Sequence, residues 1–213
     1  MGIRGNNSLQ ELSGKLYILL EWVTRFAYLH ILWIFFTLFG GVIAGIYPST
    51  TTVFAIMRKW LNGEEDLPVF KTFWSYYKRD FLKSNHLGIY ISIILFFILV
   101  DLFYLYSIAD SAMHWTAVPL SVGVLFLSFL LLYLFPVFVH YHLPVRKTVR
   151  TAFLLMLISP VQIFVMMISL FSIAVILWIF PAIGFIFGIS LYAFVTVWAS
   201  RYSFKRLEQK QVS

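Results

Sequence analysis

Fifty consecutive residues, Thr151 to Ser200, contain no Asp, Glu, Lys or Arg. A helix crosses the ~30 Å hydrocarbon core with about 20 apolar residues, so this one stretch is long enough for two crossings. An apolar surface of that size has no counterpart in a soluble domain of this length. The chain reads as an integral membrane protein whose solvent is the lipid bilayer. Composition agrees: 61% of the 213 residues are hydrophobic and only 12% are charged, where soluble domains carry roughly 25%. The absence of cysteine excludes a disulfide framework, a thiolate nucleophile and a Cys-based metal site. The net charge of +7 sits in short blocks between apolar runs, as expected when positive charge sets topology, so no nucleic-acid partner is expected.

The runs predict an all-α polytopic helix bundle forming a single membrane domain over 1–213, with spans at about 26–47, 87–107, 119–139, 153–178 and 182–200. Pro181 divides the long final run, because proline donates no helical hydrogen bond. Pro160 predicts a kink within span four. Thirteen of the 16 Lys and Arg residues fall in 58–83, 146–150 and 201–210, and the connections near 108–118 and 179–182 carry none. The basic side should be the cytoplasm. The C-terminus is then inside and the N-terminus outside, although Arg4, Lys15 and Arg25 lie outside in that arrangement. The alternative is a re-entrant hairpin over 26–57 with an inside N-terminus.

Two short interfacial helices are expected on the cytoplasmic side, at about 49–61 and 67–84. Asn62-Gly63 supplies the stop of the first. In the second, Phe70, Phe73, Trp74, Tyr77 and Phe81 fall on one face opposite basic residues, the pattern of a helix lying in the membrane interface. That face either packs under the protein's own spans or docks a partner. Leu67-Pro68-Val69-Phe70-Lys71-Thr72 recurs as Leu143-Pro144-Val145-Arg146-Lys147-Thr148, 76 residues on, which points to two similar units.

Chemistry is sparse. Asp101 is the acid well inside a span, and Arg25, at the outer end of span one, is the nearest cationic candidate for it in this topology. Glu21 competes for Arg25 as an i,i+4 pair, and Tyr104, His114 or water are the other partners open to Asp101. Pro48, Ser49, Thr50 and Thr51, at a helix N-terminus, form a candidate anion-binding turn, with simple capping as the other reading. Gly41-x-x-x-Gly45 and Gly184-x-x-x-Gly188 fit close helix approach within one subunit, with homodimerisation as the second use. His140 and His142 alone do not make a metal site, which wants three or four ligands. No catalytic motif or cofactor fingerprint is present, so neither an enzyme nor a cofactor is expected.

The entry Glu21-Trp22 to Leu32-Trp33, the turn Gly45-Ile46-Tyr47-Pro48-Ser49-Thr50, the run Arg58-Lys59-Trp60-Leu61-Asn62-Gly63-Glu64 and Pro68 to Trp74 together resemble the YesL-like family of small bacterial multi-span proteins. The resemblance implies about five spans in the bacterial cell membrane. It also implies an accessory role in carbohydrate uptake beside ABC-type sugar importer subunits, and it carries over no catalytic residues. A small transporter or channel acting alone, with Asp101 in its path, is the alternative.

Overall fold

The computed structural model describes residues 3–107 and 114–212, with side chains described over 14–107 and 117–209. It is all-helical, and no strand occurs among the described residues. The elements are α1 (Ile3–Phe39), α2 (Ile43–Leu61), α3 (Val69–Ser107), α4 (His114–Tyr141), α5 (Val145–Ile158), α6 (Pro160–Ile179) and α7 (Pro181–Val212). Five helical stretches are long and apolar enough to cross a membrane: Gly14–Phe39, Val69–Ser107, Ala117–Tyr141, Pro160–Ile179 and Pro181–Gln209.

The expected first span, 26–47, is interrupted by a turn. Gly41 adopts φ 74° and Val42 φ 60°. Gly41 N–H donates to Leu38 O at 3.0 Å and Val42 N–H to Thr37 O at 2.9 Å. These 5→2 and 6→1 bonds form a Schellman motif with glycine at the left-handed position. The same motif ends α2, where Gly63, at φ 92°, donates to Trp60 O and Glu64 N–H donates to Lys59 O. α1 and α2 therefore pack as a hairpin.

Two further boundaries differ from expectation. The predicted interfacial helix 67–84 and span 87–107 are one continuous helix, α3. No proline separates them, and Gly88 alone is too weak a breaker. At Pro160 the change goes beyond a kink: Ser159 leaves the helical region at φ −127°, ψ 58°, and α6 restarts with Pro160 in its first turn. Proline disfavours helical geometry in the residue before it. Phe180-Pro181 separates α6 from α7 as expected.

α2 is the centre of the bundle, packed against α1, α3, α4 and α7. Val53, Phe54, Ile56 and Met57 are fully buried there, with Phe73, Leu87, Tyr133 and Leu155 around them. The sequence echo marks equivalent helix starts. α3 opens at Val69 and α5 at Val145, and Thr72 N–H to Pro68 O and Thr148 N–H to Pro144 O are both 3.0 Å.

Candidate functional site

The polar run of α2 lies inside the protein. Ser49, Thr50, Thr51 and Thr52 are all buried, yet Pro48 stands within the helix rather than at its start. The expected anion-binding turn at Pro48, Ser49, Thr50 and Thr51 is thus not a helix N-terminus, and free N–H groups do not point outward there. Thr50 Oγ1 donates to Ile46 O at 2.7 Å, and Thr51 and Thr52 Oγ1 donate to Pro48 O at 3.1 and 2.7 Å. Ser49 Oγ is buried without a protein partner. Trp33 Nε1 on α1 donates to Thr50 Oγ1 at 3.0 Å.

A polar seam joins α2 to α3. Thr51 and Ser84 hydroxyls are 2.7 Å apart, and those of Tyr47 and Ser92 are 2.5 Å apart. Pro48 has no N–H for the carbonyl of Ala44, four residues earlier. Asn85 Nδ2 supplies the missing donor, reaching Ala44 O at 3.1 Å. A groove of about 730 Å³ runs beside this seam, lined by Ile43, Tyr47, Asn85, Ile89 and Phe96 among others.

Arg25 is a hub of a different kind from the one expected. Its guanidinium donates to Glu21 at 2.6 Å and to Glu65 at 2.7 Å, and lies over Trp22 and Trp60 at 5.7 and 5.9 Å from the ring centroids. Asp101, six residues before the end of α3, takes part in no ion pair among the described residues. The Arg25–Asp101 pairing is therefore replaced by Arg25–Glu65. The cause is the α1–α2 hairpin, which brings the middle of α1 back to the α2–α3 link. A single unbroken crossing at 26–47 would hold Arg25 and Glu65 a membrane's width apart, so the contact corrects the bounds of that span.

Arg25→Gln is expected to lower stability by about 1–2 kcal/mol, a drop of about 2–8 °C in apparent Tm. The carboxylates are partly exposed, at 38% and 44%, which keeps the value modest. Combined with Asp101→Asn, the losses should add to within about 0.5 kcal/mol. A coupling above about 1 kcal/mol in detergent melts would restore the discarded pair.

The aromatic face of α3 packs in part against α1. Phe36 of α1 stacks on Phe73 at 4.8 Å between ring centroids and on Trp74 at 5.6 Å, with Tyr77 at 5.2 Å and Phe70 at 6.0 Å. Phe81 meets Tyr77 edge-on at 5.5 Å. Of these five residues, Phe73 and Tyr77 are buried by internal packing, Trp74 and Phe81 are half-buried, and Phe70 is exposed.

The glycine pairs also divide. A Cβ on Gly41 would meet nothing within 4 Å, so this residue serves the turn and not helix contact. The close approach is instead between Gly40 and Gly45. A Cβ on Gly184 would lie 3.6 Å from Leu177 and one on Gly188 3.8 Å from His30, ordinary van der Waals distances that leave room for a side-chain carbon. His140 stacks on Phe204, with ring centroids 4.1 Å apart, and lies 3.5 Å from Glu208. No group of three potential His, Cys, Asp or Glu ligands occurs among the described residues.

These features define a multi-span helical membrane protein built around a buried polar helix. The family described as "Protein of unknown function, DUF624" matches residues 26–102, which hold the α1–α2 hairpin and the α2–α3 seam. Three proteins of Bacillus subtilis (strain 168), each named as uncharacterized, are similar. YesV is 33% identical over 91% of this chain and 93% of its own length. YesL is 29% identical over 89% and 90%. YteU is 41% identical over 67% of this chain, a match spanning 64% of YteU. No solved structure matches. The chain belongs to this YesL-like family.

Proposed function

We propose that the chain is a non-enzymatic accessory subunit of the bacterial cytoplasmic membrane that works with an ABC-type oligosaccharide importer. The observation that carries this reading is the use made of the polar run in α2. A path for a polar solute needs donors and acceptors held open, whereas Thr50, Thr51 and Thr52 are closed onto helix carbonyls and Thr51 is also tied to α3. This run reads as a structural seam, which leaves the outer surfaces for function. The oligosaccharide system is implied by the family resemblance. The partner's spans are met by exposed apolar helices such as α6, where Phe164, Ile168 and Phe171 form a stripe.

The Arg25–Glu65 contact supports an orientation in which α1 enters from the cytoplasm and α2 returns. Lys15 and Arg25 then join the other Lys and Arg residues inside, and the C-terminus stays cytoplasmic. A tagged copy purified in mild detergent, from cells grown on the inducing oligosaccharide, tests the assignment. Importer permease or ATPase subunits should be enriched over a tag-only control by quantitative mass spectrometry. Their absence overturns the proposal, as does solute flux in liposomes that hold this chain alone.

A further inference from the structure

Beyond the packed core, the last turns of α2 and α4 converge on residues 197–208 of α7. Arg58 of α2 donates through Nη1 to Val139 O of α4 at 2.5 Å, and Arg201 of α7 donates to Leu61 O of α2 at 2.7 Å. Each guanidinium caps the carbonyl end of a neighbouring helix, where its charge also suits the helix dipole. A guanidinium carries five N–H donors, so each cap leaves others unused. Nε of Arg58 is buried and has no hydrogen-bond partner. The convergence encloses a cavity of about 170 Å³ lined by Arg58, Asn62, His140, Arg201, Lys205 and Glu208 among others. Three cations, two of them held by helix caps, line it with one carboxylate.

A second cavity of about 170 Å³ shares Arg201 and Lys205 and adds Trp198 and Tyr202. Positions 198, 201, 202 and 205 follow helical spacing on one face of α7. Trp198 and Tyr202 are exposed. α7 carries no charge from Pro181 to Ser200, and Arg201 is the first residue of its charged continuation. Aromatic rings beside basic residues at such a boundary sit at headgroup level.

We propose that Arg58, Arg201 and Lys205, flanked by Trp198 and Tyr202, form a phosphate site for the headgroup of an anionic phospholipid. A phosphate diester is matched by charge-assisted N–H donors. The two exposed rings line the same cavity as Arg201 and Lys205 and supply the apolar flank of the headgroup. The role is binding only, and no bond is made or broken.

Native mass spectrometry of the purified full chain in neutral detergent tests this with three probes: phosphatidylglycerol, phosphatidylcholine and inorganic phosphate. The wild-type chain should retain phosphatidylglycerol in preference to phosphatidylcholine. Lys205→Gln should cut that retention about fivefold, the value of one basic residue near an anionic surface, and leave phosphatidylcholine unchanged. Lys205 makes no hydrogen bond among the described residues, so this variant tests the headgroup without removing a helix cap. Lys147→Gln, an exposed residue of α5 with the same charge change, should retain the lipid as the wild type does. Equal retention of both lipids, or equal losses in the two variants, overturns the site. Inorganic phosphate that binds and displaces phosphatidylglycerol overturns the lipid assignment in favour of a soluble phosphate ligand.

Discussion

Gly45→Ala is expected to cost about 3 kcal/mol, a fall of about 6–12 °C in apparent Tm in detergent. A methyl group at Gly45 would be driven into the carbonyl of Thr37 and lie 3.0 Å from that of Phe36. Both obstacles are main chain of α1, and a backbone does not swing aside as a side chain does. Thr37 O also accepts the 6→1 bond that closes the turn into α2. Relief therefore requires the two helices to part, which loosens Phe36 from Phe73 and Trp74 as well. Gly123→Ala provides the contrast, since a Cβ there meets nothing within 4 Å. It should change stability by no more than about 1 kcal/mol, with a gain the expected direction. Equal melting of the two variants would show that the α1–α2 contact is not the tight one described.

The fold class was legible because hydropathy reports solvent, and the solvent here is lipid along most of the chain. Turns inside an apolar run are much less visible to it. Asn62-Gly63 reads as a helix stop because a charged link follows, whereas Gly40-Gly41 builds the same motif between two apolar helices and leaves no contrast. Without that contrast 26–47 reads as one span with Arg25 at its far end, where Asp101 is the nearest acidic partner on another span. The Gly-Gly pair was the signal available, and Glu65 as the partner follows once the chain reverses there.

The aromatic stripe of α3 shows a related limit. Its amphipathic period correctly says that Phe73 and Tyr77 are covered. Nothing in the period names Phe36 of α1 as the cover, because that contact is set by how the hairpin leans on α3. Likewise, proline at 48 followed by hydroxyl residues suits a helix start on local grounds. Only the tertiary structure shows a side chain from α3 making good the hydrogen bond that proline removes.

That substitution of donors sets up the second large effect. Asn85→Ala should cost about 1–3 kcal/mol, because Ala44 O then loses the donor that replaces the absent Pro48 N–H. In apparent Tm this is a drop of about 2–12 °C. The Thr51–Ser84 and Tyr47–Ser92 contacts remain, so the seam should loosen and the fold persist. Pro48→Ala restores a main-chain N–H to the carbonyl of Ala44 at ordinary helical spacing. In that background Asn85→Ala removes a donor that the carbonyl no longer needs, and its cost should fall by about 1 kcal/mol or more. The sign of the coupling is the test: the second change must be milder after the first. Equal costs of Asn85→Ala in the two backgrounds, to within about 0.5 kcal/mol, would mean that Asn85 acts through Phe81 O, its other acceptor at 2.9 Å, and that Pro48 is held in mid-helix by packing alone.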